Sequence, residues 1–227
     1  MSKLDLKGAC AAQGCRVEHC PLIVEIELLH ERCRKLEELS WGDALTGLFN
    51  YRYMQRSLEM EMERTRRTKL PTGFIMLDLD HFKDFNTRYG HEGGNAVLSS
   101  MGKLLKEHLR VIDIACRYGG EEFALILPNA SIRQAVGIAN RLHKIVRTSP
   151  VVFGDKKLDI SASFGVAVFK HTDEETLSSF IDRADRLLYQ AKNTGRDRVC
   201  AEQSLPVAVA EEVSSEEKSA LFSSEEN

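Results

Sequence analysis

The 227-residue chain has no run approaching the roughly 18 apolar residues that a membrane-spanning helix needs, and its start, MSKLDLKGAC, lacks the apolar core of a signal peptide. A cytoplasmic protein with no membrane partner is expected. It also lacks an excess of one charge: 31 Lys+Arg stand against 34 Asp+Glu, a formal net charge of −3. So even a balance argues against a protein that coats nucleic acid, where phosphate neutralisation dominates affinity. A disulfide framework is missing too. Of six cysteines, Cys10, Cys15, Cys20 and Cys33 crowd into the first 33 residues, whereas Cys116 and Cys200 lie far apart in strand-like segments. In a reducing compartment these are thiols or metal ligands by default. What is present is ordinary globular composition, 43% hydrophobic and 29% charged. A domain of roughly 150 residues removes about 70% of its unfolded surface from water, so no staples are needed.

The charge is nevertheless uneven. From Glu202 onward there are seven acidic residues and one basic residue, leaving a mildly basic body of +3 before it. Three segments follow: residues 1–40, a Cys-containing N-terminal stretch with a short helix; 41–202, a single catalytic-size domain; and 203–227, a Ser- and Glu-rich tail that reads as disordered. In the first, Leu22, Ile26, Leu29, Cys33 and Leu36 recur at spacings of 4, 3, 4 and 3, the seam of a short coiled coil. Two readings stay open there, an amphipathic helix lying on its own domain or a homodimerisation helix. Cys10, Cys15, Cys20 and His19, with His30 and Cys33, could together form a zinc or redox site, but their gaps are not those of a zinc knuckle. Free reduced thiols are the plainer reading.

The middle segment alternates helix and strand patterns. A helix over about 51–69 with Leu58, Met62 and Thr65 on one face precedes an apolar strand, FIMLDLD, at 74–80. A short helix (HFKDFN), a break at Gly93-Gly94 and a helix over 95–110 follow; then VIDIACRY, Gly119-Gly120 and EFALILP read as a hairpin on a two-residue turn. A helix over 131–148, a strand LDISASFGVAVF, a helix over about 175–192 and a last strand, DRVCA, complete the pattern. The fold class is α/β (α+β), a mixed central sheet with flanking helices, and the order of elements places the helices on one side of the sheet.

Two carboxylate pairs end strands rather than sitting on solvated helix faces. Asp78 and Asp80 share one side of their strand because the side-chain period is two, and Glu121 and Glu122 follow the glycine turn. If the two strands are neighbours, Asp78 and one Glu converge. Oxygen ligands without His or Cys favour Mg²⁺ or Mn²⁺. Gly119 and Gly120 serve either a tight turn at positive φ or the close approach of a nucleotide. Lys192 and Arg196, where a helix runs into AKNTGR, form a candidate anion site or merely complement the helix dipole.

DALTGLFNYRYM (43–54), LDLDHFKDFN (77–86), YGHEGGN (89–95), RYGGEEF (117–123), SFGVA (163–167) and ADRLLYQAKNTGRDRV (184–199) resemble, in order and spacing, the GGDEF domain of diguanylate cyclases. The match covers about 160 residues, and RYGGEEF in this company is specific. The resemblance implies the palm-like fold of nucleotide cyclases and polymerases and the condensation of two GTP into cyclic di-GMP across a pair of domains. It also assigns roles. Asp78, the carbonyl of Leu79 and Glu121 would hold the metal ions, and Glu122 would sit beside the ribose 3′-hydroxyl. Lys83, Lys192 and Arg196 would neutralise the triphosphate, Asn86 would read guanine, and His81, Phe82, Gly119, Gly120 and Asn95 would line the substrate. Arg110 and Asp113, in RVID, resemble the family's inhibitory site for the product; a surface ion pair is the bland alternative.

Two positions depart from the family pattern. Thr87 follows Asn86 where the family has Asp, and Gly94 is followed by Asn95 where the family again has Asp. An aspartate at 95 would accept from guanine N1–H and its amine, whereas Asn offers one acceptor and one donor group and can face adenine as well. A hybrid cyclase using ATP beside GTP to make cyclic GMP-AMP is therefore the second reading. A receptor that binds cyclic di-GMP without turnover is the third, opposed by the intact acidic residues.

Overall fold

The computed structural model describes residues 25–32 and 41–202. The proposed cysteine site (Cys10, Cys15, His19, Cys20, Cys33) and the acidic tail lie outside the described residues. Residues 25–32 are helical, with Leu28, Leu29 and His30 exposed.

Helix α1 (Tyr51–Thr68) starts where the Asn50 side chain accepts from the Tyr53 N–H and stops at Lys69, whose left-handed φ of 63° halts the spiral. Strand β1 (Thr72–Leu79) is buried at every position. Helix α2 (Phe82–His108) is broken at Gly90, which has φ 74° and ψ 171°. The hairpin strands β2 (Ile114–Arg117) and β3 (Glu122–Leu127) lead to α3 (Ile132–Thr148), opened by a Ser131–Gln134 capping box. Short strands β4 (Val151–Phe153) and β5 (Lys156–Leu158) pair with each other alone. Strand β6 (Ala162–Phe169), α4 (Leu177–Asn193) and β7 (Val199–Ala201) finish the domain.

The five-stranded sheet has the order β2-β3-β1-β6-β7, antiparallel except for the parallel β6–β7 pair. Its mixed character and flanking helices match the sequence reading, but the helices cover both faces rather than one. Ile75, Leu77, Phe123, Leu125, Phe164 and Val166 pack against α2 and α3, whereas Phe74, Met76, Ala124, Ile126, Ala167 and Phe169 pack against α1 and α4. The run FIML is the reason: it is apolar at successive positions, which a strand wet on one face would not be. No described helix is long and apolar enough to cross a membrane.

Four local expectations change as well. The break in α2 falls at Gly90; Gly93 and Gly94 are helical, and both are buried. Residues 111–113 form a turn rather than the start of β2. Four residues, 118–121, join β2 to β3 in place of two, and neither Gly119 nor Gly120 has positive φ. The β4–β5 hairpin was not anticipated, since only Val151 and Leu158 of its eight residues are buried.

Candidate active site

One end of the sheet gathers the charged residues. Asp78, next to last in β1, lies opposite Glu122 of β3 on one side and Ser163 of β6 on the other. Because opposed residues of an antiparallel pair face the same way, Asp78 and Glu122 share the face covered by α1 and α4. The last turn of α4 then brings Lys192 Nζ to 2.8 Å from Asp78 Oδ2. Glu121 stands beside them, its carbonyl accepting from the Leu79 N–H at 3.3 Å. Asp78 is only 7% exposed. Burial pushes its carboxyl up to about 6; Lys192 pulls it back, and the charges of Glu121 and Glu122 raise it further.

Asp80 has a different task. Its carboxylate accepts from Ser161 Oγ at 2.9 Å, Ser163 Oγ at 2.7 Å and the Asp197 N–H at 3.0 Å, so it ties the end of β1 to β6 and to the loop after α4. It is spent on structure.

Arg117 shapes the glycine turn. Its guanidinium donates to the carbonyls of Gly119 at 3.1 Å and Gly120 at 2.8 Å, and to Asp43 Oδ2 at 3.1 Å. Asp43 in turn accepts from the N–H and hydroxyl of Thr46. Glycine leaves room in this turn. A Cβ at 119 would stand 2.6 Å from Glu122 Oε2, while a Cβ at 120 would meet nothing within 4 Å, leaving open space above Gly120.

Beyond β1, His81 takes a left-handed φ of 56° and α2 begins. Lys83 and Arg196 are exposed, without ion-pair partners among the described residues. Phe82 and Asn86 fold against Gly94, where a Cβ would lie 1.9 Å from Asn86 Oδ1. That Oδ1 is buried with no hydrogen-bond partner, an acceptor awaiting a donor. Asn95 follows Gly94 and is exposed.

Arg110 and Asp113 close a turn of their own. The Arg110 N–H donates to Asp113 Oδ2 at 3.0 Å, and the Asp113 N–H donates to the Arg110 carbonyl at 3.0 Å. No side-chain ion pair forms between them, so the bland alternative does not describe this turn. Asp113 Oδ1 is buried and unpartnered. Burial raises the Asp113 carboxyl, against the pull of the Arg110 N–H and the charges of Arg110 and Arg141. Arg141, on α3, lines a cleft of about 420 Å³ with Arg110. The sequence reading missed it because 31 residues separate the two and no local pattern joins them.

With this geometry in place, the comparisons are specific. Residues 40–198 match the family described as diguanylate cyclase, GGDEF domain. The chain belongs to that family. It is 40% identical over 161 residues to the uncharacterized protein YhcK of Bacillus subtilis and 38% identical over 164 residues to the response regulator PleD of Caulobacter vibrioides. Those stretches are 70% and 71% of this chain but 44% and 36% of YhcK and PleD, so the chain spans less than half the length of either. Among solved structures, diguanylate cyclase SiaD of Pseudomonas aeruginosa, in complex with its activator SiaC, superposes with a TM-score of 0.69 at 35% identity, over 88% of this chain and 76% of that one. The coiled coil and GGDEF domain of DgcB from Caulobacter crescentus, in complex with c-di-GMP, gives 0.69 at 26% identity, over 88% and 100%. This GGDEF domain therefore shares fold and family with named cyclases.

Proposed function

We propose that this GGDEF domain condenses two GTP molecules into cyclic di-GMP, releasing two pyrophosphates. The observation that carries the reading is the convergence of Asp78, Glu121, Glu122 and Lys192 beside the open space over Gly120. Each domain would hold one nucleotide, and two domains would face each other so that each 3′-hydroxyl attacks the α-phosphorus opposite. Glu122 accepts from the attacking hydroxyl and orients it. Lys83, Lys192 and Arg196 neutralise the triphosphate, in a reaction governed by positioning and charge. The buried Asn86 Oδ1 takes a donor from the purine edge.

Among the described residues no three His, Cys, Asp or Glu side chains close a metal cage. The site fits Mg²⁺ or Mn²⁺ all the same, since Mg²⁺ takes one or two carboxylates and completes its shell with water and substrate phosphates. Asp78, Glu121 and the Leu79 carbonyl would hold it. When bound, the ion supplies a more acidic hydroxyl and charge relief at the phosphates.

Asn95 favours one second reading, a hybrid cyclase that also takes ATP. Losing a charge-assisted hydrogen bond costs about 1.5–3 kcal/mol, enough to relax base choice tenfold or more. Incubation with GTP alone and with GTP plus ATP decides between the two: cyclic di-GMP alone in both supports the first, and a mixed dinucleotide supports the second. Glu121→Ala should abolish pyrophosphate release; if it does not, the site assignment is wrong. Cyclic di-GMP that binds without any turnover would leave only a receptor.

Product would return to the Arg110–Asp113 turn, where Arg110 and Arg141 present forked donors and Asp113 Oδ1 an acceptor. Added cyclic di-GMP is expected to slow the protein but not Arg110→Ala; equal slowing of both would remove this site.

A further inference from the structure

The turn that carries Arg196 has an improbable backbone. Gly195, Arg196 and Asp197 have φ values of 118°, 60° and 48°, so two non-glycine residues in succession sit in the left-handed region. Such a conformation persists only where the surroundings over-determine it.

The surroundings of this turn are unusually complete. The Arg196 N–H donates to the Ala191 carbonyl at 3.0 Å, and the Arg198 carbonyl accepts from the Phe164 N–H at 2.9 Å, fixing the turn to α4 and to β6. The Asp197 N–H donates to Asp80 Oδ2 at 3.0 Å. The Asp197 side chain points the other way: Oδ1 accepts from His143 Nε2 of α3 at 2.7 Å, and Oδ2 lies 3.5 Å from Arg147. A carboxylate only accepts, so Nε2 of His143 carries the proton. The imidazole is held edge-on to Phe164, ring centroids 6.0 Å apart. Asp197 thus joins α3 to Asp80, two residues beyond Asp78.

We infer that His143 and Asp197 are positioning residues for the triphosphate: they lock the left-handed turn so that Arg196 stands beside Lys192 at the carboxylate end of β1. The inference rests on the reading that Arg196 binds phosphate. Neither residue touches substrate; both act through Arg196. Without the tie, the turn gains alternative conformations, and Arg196 must be ordered anew each time a nucleotide binds.

Steady-state cyclase assays on the full chain test this, alongside binding of guanosine, which has no phosphate to contact Arg196. Asp197→Ala and His143→Leu should raise KM for GTP about tenfold, with kcat at saturation changed less than about twofold and guanosine affinity unchanged. Asp197→Asn, which keeps an acceptor and tolerates positive φ, and His143→Gln, which keeps a donor, should restore KM. In an Arg196→Ala background the His143→Leu change should add nothing. The inference is overturned if KM holds while thermal stability falls, if guanosine binding weakens in parallel, or if the two losses add. If Arg196→Ala alone leaves KM for GTP unchanged, the phosphate assignment has failed and the inference falls with it, a result distinct from the other three.

Discussion

Asp78 is held where its charge is least welcome, beneath α4 and beside two glutamates. Its carboxyl is raised from 3.8 to about 6, first by burial, with Lys192 opposing and Glu121 and Glu122 reinforcing. The native state therefore binds this proton more tightly than the unfolded chain does. Its stabilising contribution is complete below pH 3.8 and is lost as pH rises through 6. Metal-free Asp78→Asn should accordingly be more stable than the parent at pH 7.5, by on the order of 3 kcal/mol, and the gap should close toward pH 4. Thermal melts in chelator across that range would show it; a gap independent of pH would mean that the buried charge is not its cause. If Asp78 holds the metal as proposed, activity and stability oppose each other at this one side chain.

At the scale of elements, the glycines separate packing from function. Gly165 of β6 lies under α4, and a Cβ there would stand 2.3 Å from the Ala184 carbonyl oxygen and the Leu188 nitrogen, both backbone atoms. Gly165→Ala must push the helix off the sheet, at a cost of about 2–3 kcal/mol in urea denaturation. Gly120→Ala meets nothing and should change stability by less than about 0.5 kcal/mol, yet it fills the space assigned to nucleotide and should raise KM for GTP. The opposite pattern would show that the site lies elsewhere. The same contrast explains what could be read in advance. FIMLDLD and RYGGEEF announce themselves through apolar runs and paired carboxylates, so β1, β3 and the Asp78–Glu122 neighbourhood were legible. VVFGDKKL was not, because its two three-residue strands bury only their outer ends. Nor could the covering of both sheet faces be read, since the order of helices does not say which face each returns to. His143 and Asp197 escaped notice because a contact across 54 positions leaves no local periodicity.

For the whole molecule, the proposed condensation needs two active sites for one product, and the helical residues 25–32 leave Leu28 and Leu29 about half exposed. If that surface pairs two chains, specific activity should rise with protein concentration. Leu29→Glu should shift the rise to at least tenfold higher concentration while leaving the melting of the cyclase domain unchanged. Sedimentation and activity measured on the same dilution series would check it; activity independent of concentration would argue for another route to pairing. The sheet order carries a separate consequence, for the making of the protein. Strand β1 sits at the centre, yet its partners arrive late: Gly73 waits for Leu127 and then for Val168, and Phe164 waits for Val199. Contacts so distant along the chain close slowly. A growing chain on the ribosome thus presents Asp78 more than a hundred residues before the Arg196 turn. No nascent fragment that stops short of Arg196 contains all the residues proposed for the site.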